Sequence, residues 1–192
     1  MSNREIRQVR SVNSKFNTRE DDGKLYIEGY FAVFNSNYEI FDGATESVAQ
    51  GAFDGALLDD IRALIDHETR LVLGRTSAGT LELRVDEHGL FGRIEVNPND
   101  QDAMNLYARV QRGDVNQCSF GFDILDEEYE VLESGEVHWT IKKVRLYEVS
   151  VVTFPAYEQT EVVARKDEFE QIKKRQKEAW AESMKTRIKG GV

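Results

Sequence analysis

One cysteine, two prolines and three histidines are all that 192 residues contain of these types, and each scarcity removes a class of explanation. With Cys118 alone there is no internal disulfide, which fits a reducing compartment. Three scattered histidines, without a CxxC pair or an HExxH spacing, predict neither a metal site nor a cofactor. No stretch approaches the roughly 18 apolar residues that a membrane span needs. The opening Met-Ser-Asn-Arg-Glu-Ile-Arg lacks the apolar run of a secretory signal, so no membrane association is expected. Basic charge is also short. A net charge of −10 argues against a nucleic-acid partner, which would be met by a basic face.

What is present suffices for a core. Hydrophobic residues make up 40% and aromatics 10% of a chain long enough for one ordinary domain. The charge is unevenly spread: residues 166–192 hold eight Lys and Arg against five acids, which leaves 17 against 30 in residues 1–165. That shift near Arg165 divides the chain into an N-terminal arm (1–22), a main domain (23–165) and a charged helical tail (166–192).

The arm reads as an edge strand with weak alternation at Ile6, Val9 and Val12. Lys24–Phe34 is a strong strand with two apolar faces, as a strand between layers would have. Asn35–Gly43 reads as a loop and Ala52–Leu58 as a short helix. Ala63–His67, Leu71–Gly74, Thr80–Val85 and Leu90–Val96 read as short strands, with Asp86-Glu-His-Gly89 a hairpin turn in which Gly89 takes positive φ. Asn99–Arg112 is a helix opened by Pro98 and Asn99, with Ala103, Leu106, Tyr107 and Val110 as its stripe and Gly113 closing it. A long strand from Asn116 to Val131, the turn Glu133–Glu136 and a second long strand to about Thr153 follow. Residues 160–164 suggest a last short strand. In the tail, Phe169, Ile172, Gln176, Trp180, Met184 and Ile188 recur at helical spacing and would seek a partner helix.

Three segments carry chemistry. In Gln117-Cys-Ser-Phe-Gly-Phe122 a serine sits mid-strand between bulky apolar residues, either as a buried core group or as a nucleophile on a rigid element. Leu64-Ile-Asp-His67 ends an apolar run in a histidine that is either structural or a base; Asp66 or Glu68 beside it would pair with Arg70. Leu146-Tyr-Glu-Val149 sets a carboxylate in a hydrophobic strand, either solvated or functional. A serine hydroxyl attacks a carbonyl only when a base removes its proton, histidine can take and return that proton, and a carboxylate on the other ring nitrogen sets the tautomer. Cys118 is an alternative nucleophile, but it faces opposite to Ser119 on its strand. No G-x-S-x-G turn surrounds Ser119, which weighs against an α/β-hydrolase.

The hairpin geometry limits which residues meet. Partners across the turn at Ser134–Gly135 sum to roughly 268–269 in an unbroken antiparallel register, placing Ser119 opposite Val149 or Ser150. His138 then pairs near Glu130, far along the strand from Ser119 and out of reach, and His88 lies in an exposed turn. His67 is the histidine that remains. A bulge near Glu148 would turn that residue to the wrong face.

Taken in order, these segments resemble the prohead serine proteases of tailed bacteriophages. The resemblance runs over about residues 25–160. It rests on Ile-Glu-Gly-Tyr-Phe-Ala-Val-Phe-Asn (27–35), Gln-Gly-Ala-Phe (50–53), Leu-Ile-Asp-His (64–67) with Leu-Gly-Arg (73–75), Gly-Leu-Phe-Gly-Arg (89–93), Cys-Ser-Phe-Gly-Phe (118–122) and Glu-Val-Ser-Val-Val-Thr-Phe-Pro-Ala-Tyr (148–157). It implies an α+β fold: a mostly antiparallel β-barrel with a few surrounding helices, herpesvirus-protease-like, plus the C-terminal charged helix. It further implies a serine endopeptidase with Ser119 as nucleophile, His67 as general base and Glu148 orienting His67. Arg145 and Arg75 stand as guesses for the oxyanion hole. The implied partners are the major capsid protein and scaffold as peptide substrates, and the chain itself, inside an assembling prohead in the host cytoplasm. Self-association would run through the C-terminal helix. The competing class is a non-enzymatic scaffold or internal capsid assembly protein; a third is a cysteine hydrolase through Cys118.

Overall fold

Two sheets and two helices organise the described residues, 8–12, 16–154 and 159–189, of the computed structural model. The strands are β1 (Gln8–Val12), β2 (Asn17–Asp21), β3 (Lys24–Val33), β4 (Tyr38–Phe41), β5 (Ala44–Val48), β6 (Arg62–Ile65), β7 (Glu68–Arg75), β8 (Leu81–Val85), β9 (Gly89–Val96), β10 (Gln117–Val131) and β11 (Val137–Val152). Helix α1 spans Gln101–Arg112 and α2 spans Gln159–Lys189. One sheet runs β1-β10-β11-β5-β4, with β6 and β7 added beside β11; the other runs β2-β3-β9-β8. The long β11 pairs antiparallel with β10 along one side, and in parallel with β5 and then β6 along the other.

This is a mixed α+β, sheet-rich fold whose ladders are mostly antiparallel, as expected, but the expected barrel is not formed. Among the described residues no ladder joins the two sheets, which instead stack through their apolar faces. Phe120 stacks on Phe122 at 4.7 Å and meets Phe53 edge-on at 5.7 Å. Ile27 and Phe31 of β3 are fully buried in the same cluster, as a strand lying between layers requires.

Local chemistry explains most boundaries. Asp100, rather than Pro98 or Asn99, caps α1: its carboxylate accepts from the backbone N–H groups of Asp102 and Ala103. Gly113 ends the helix at φ 87°, and the buried face is the expected Ala103, Leu106, Tyr107 and Val110. The expected helix at Ala52–Leu58 is replaced by turns and one 3-10 turn at Ala56–Leu58, because Gly51 and Gly55 take φ 94° and 79°. Asn35–Gly43 contains β4, which pairs with β5 across Asp42 and Gly43. Gly89 is required for closeness rather than for positive φ: a Cβ there would lie 2.0 Å from the Ala32 carbonyl oxygen. Residues 160–164 lie within α2 and form no strand. The end of the resemblance at Pro155–Tyr157 and residues 1–7 of the arm lie outside the described residues.

The first turns of α2 dock on the main domain. Phe169 and Ile172 pack with Phe41, Ala44, Val137 and Trp139 in a second small core. Beside it Arg165 donates to Glu46 (2.6 Å), Glu127 (2.7 Å) and Glu168 (3.2 Å), and lies over the Trp139 ring. Glu46 also receives Arg10 of β1. Burial alone pushes the Glu46 carboxyl upward, but the Arg10 and Arg165 guanidiniums outweigh it and hold the group at about 2.

A depressed pKa in the folded state stabilises above the unfolded value of 4.5 and loses that stabilisation as pH falls towards about 2. Urea denaturation across that window should show a steeper loss for the native chain than for Glu46→Gln. At neutral pH Glu46→Ala, which removes the carboxylate shared by the buried Arg10 and Arg165 guanidiniums, should cost about 3–5 kcal/mol.

Candidate functional site

His67 is placed by an unusual turn. Ile65 pairs with Glu68, so Asp66 and His67 are the two central residues of the β6–β7 hairpin, and both have positive φ, 48° and 61°. Two successive positive φ values make the primed turn that suits the twist of tight hairpins. Asp66 holds this turn to the end of β11. Its backbone N–H donates to Val151 O at 3.0 Å, and its carboxylate accepts from Thr153 N (2.7 Å) and Thr153 Oγ1 (3.2 Å). The imidazole is thereby folded back over the sheet.

The sheet face beneath it holds the other groups. Cys118, Phe120, Val149, Val151, Ala63 and Ile65 all belong to the main core. Strand alternation therefore sends Ser119, Glu148 and Ser150 to the opposite face. Ser119 pairs with Ser150, one of its two expected partners, and Gly121 pairs with Glu148. The register shift falls beyond that pair, between Gly121 and Phe122, so Glu148 stays on the same face as Ser119. Ser119 and Glu148 are diagonal neighbours, about 7 Å apart at the backbone.

Glu148 is 2% exposed, and both of its carboxylate oxygens accept hydrogen bonds. Its Oε1 accepts from His67 Nδ1 at 2.8 Å and its Oε2 from Ser150 Oγ at 2.5 Å. Because a carboxylate oxygen accepts, Nδ1 carries the proton and Nε2 turns its lone pair the other way. Nε2 is buried and has no hydrogen-bond partner among the described residues. Ser119, fully buried, donates its hydroxyl to the backbone carbonyl of Arg10 at 2.9 Å. No hydrogen bond joins Ser119 to His67 among the described residues. The structure thus brings His67 and Glu148 into contact and sets Ser119 on their face, engaged elsewhere.

The remaining candidates lie apart. Cys118 is buried on the core face with its Sγ 2.9 Å from the Tyr30 carbonyl oxygen. His138 is held between Thr45 and Ser47, and His88 packs edge-on against Tyr30. Arg75 grips Asp60 through several hydrogen bonds, and Arg145 interacts first with Tyr147. Glu68, not Asp66, pairs with Arg70. A depression on the second sheet, lined by Arg19, Arg84, Arg93, Glu28 and Glu82, contains no serine or histidine. Among the described residues no three His, Cys, Asp or Glu side chains gather as a metal would need. Likewise no helix there is long and apolar enough to cross a membrane. Sequence reasoning missed Ser150 and the role of Asp66; the i, i+2 spacing from Glu148 was the available signal for Ser150.

The family model described as Caudovirus prohead serine protease matches residues 13–175. The prohead protease of Enterobacteria phage HK97 is 35% identical over 150 residues, which are 76% of this chain and 62% of that protein. The chain therefore spans less than two thirds of that curated relative. The structure of the bacteriophage T4 capsid assembly protease, gp21, matches with a TM-score of 0.52 at 12% identity, covering 78% of this chain and 98% of that one. At that identity the match speaks to fold alone.

If Asp66 fastens the turn, both Asp66→Gly and Asp66→Ala should destabilise, since each removes the acceptor for Thr153. Alanine should be worse by about 1 kcal/mol, because an L side chain strains at positive φ and glycine does not. Urea denaturation of the two variants checks the order.

Proposed function

We propose that this chain, which belongs to the Caudovirus prohead serine protease family, is a serine endopeptidase acting through Ser119, His67 and Glu148 during capsid maturation. The observation that carries the reading is His67 itself: Nδ1 is bonded to a buried carboxylate while Nε2 is buried, unpartnered and on the face of Ser119. A structural histidine in a core satisfies both ring nitrogens, as His138 does.

In this mechanism the Ser119 hydroxyl turns from the Arg10 carbonyl to His67 Nε2. His67 takes the proton as Oγ attacks the scissile carbonyl, forming an acyl-enzyme, and returns it to the leaving amine. Water then attacks the acyl group by the same route. Glu148 holds the Nδ1–H tautomer and stabilises the imidazolium, and Ser150 keeps Glu148 in place by occupying its second oxygen.

The substrates are scaffold, or the scaffold-like part of the major capsid protein, and the chain itself, within the assembling prohead of the host cell. Residues 23–165 form the catalytic domain in this reading, with residues 166–192 as the packaging or self-associating tail. Trp180, 66% exposed on α2 beyond the docked turns, supports a contact made by that tail.

Ser119→Ala should leave the fold and packaging intact and abolish cleavage of co-expressed capsid protein; undiminished cleavage would end the proposal. His67→Ala should be about as damaging, because such residues act as a unit, while Glu148→Gln should lose less. Mass spectrometry of both proteins after co-expression reads all three. A fluorophosphonate probe should label Ser119 in the enzyme; no labelling at Ser119 would favour the non-enzymatic scaffold reading.

A further inference from the structure

The outer edge of β10 is covered by β1, and the hydroxyl assigned as nucleophile is bonded to that covering strand. Gln8 to Val12 pair antiparallel with Phe122 to Cys118, with Ser11 opposite Ser119. Ser119 Oγ donates to the carbonyl oxygen of Arg10 while His67 Nε2 stays without a partner. A sheet edge is a ready binding site for an extended peptide, whose successive carbonyls would pass the nucleophile in this way.

Five residues of edge ladder hold a strand weakly. What fastens β1 is the Arg10 side chain. Its Nε and Nη2 fork onto Glu46, with Nη2 at 3.0 Å from Oε2. Nη2 also donates to Gln8 Oε1 (3.1 Å) and Nη1 to Val9 O (3.0 Å), and the guanidinium lies 5.7 Å from the Phe122 ring centre. Through Glu46 the same carboxylate binds Arg165 of α2. One buried acid therefore ties the strand over Ser119 to the C-terminal helix.

Resting on the assignment of Ser119 as nucleophile, we infer that the outer edge of β10 is the binding site for an extended peptide substrate and that β1 is its resident occupant. Release of Arg10 from Glu46 opens the edge, and the favoured incoming strand carries an arginine at the Arg10 register. The guanidinium's planar fork matches a carboxylate in a way an ammonium does not, so Glu46 selects arginine over lysine.

The test uses full-length Arg10→Ala. Hydrogen–deuterium exchange at β1 and at the outward amides of Cys118–Phe122 should rise while β11 stays protected. Fluorophosphonate labelling of Ser119 should accelerate by at least about tenfold, a modest part of what breaking a buried ion pair can release. A synthetic peptide of residues 6–14 (Ile-Arg-Gln-Val-Arg-Ser-Val-Asn-Ser) should restore protection and slow the labelling, whereas the same peptide with alanine at the Arg10 position should not. Should the alanine variant fail to fold, Arg10→Lys, which keeps the charge and loses the fork, should give the same changes at smaller size. Unchanged exchange, open exchange with Ser119 labelled in both chains at the same rate, or equal effects of the two peptides would each overturn the inference. If exchange and peptide protection behave as stated but no chain is labelled, the strand site stands and the Ser119 assignment falls.

Discussion

The pairing of β10 with β11 decides which side chains share a face, and nearly everything else in the site follows from it. Fifteen residues face sixteen, and at Ser119–Ser150 and Gly121–Glu148 the ladder runs without a shift. A slip of one residue there would exchange the faces, placing Phe120 and Val149 in the position of Ser119 and Glu148. The core forbids that exchange, since Cys118, Phe120, Val149 and Val151 are buried between the sheets. Apolar burial on one face thus holds the polar groups in register on the other.

Two buried glutamates show two ways of keeping a carboxylate out of water. Glu46 is surrounded by guanidiniums, which hold its charge and join β1, β5 and α2. Glu148 accepts from the His67 imidazole N–H and from the Ser150 hydroxyl. The first arrangement is a fastening between distant parts of the chain. The second sets a carboxylate against the Nδ1–H of an imidazole, the contact that fixes a tautomer.

Legibility followed the range of the interaction. Strand alternation, the stripe of α1 and the β10–β11 turn depend on neighbours in sequence, and they were read nearly correctly. Ala52–Leu58 was read as a short helix, while the positive φ of Gly51 and Gly55 leaves turns and a single 3-10 turn there. The barrel was expected from resemblance, and its lack of closure depends on which strand edges meet, a matter no local pattern records. Asp66 and Glu68 looked like equal partners for Arg70, and only Glu68 takes that place, because the bond of Asp66 to Thr153 spans 87 residues.

By itself the sequence determined the composition of the site: one serine between phenylalanines, one histidine at a strand end, one acid in an apolar strand, on a chain with few alternatives to any of them. Hairpin arithmetic even set Ser119 beside Ser150. Only the tertiary structure decided that His67 turns back over the sheet through two positive φ values, that Glu148 meets His67 Nδ1, and that the serine hydroxyl rests on the carbonyl of Arg10. The physical reason is that side-chain types and periodicity are local, whereas the approach of three strands and a turn to one face is the outcome of burying the other.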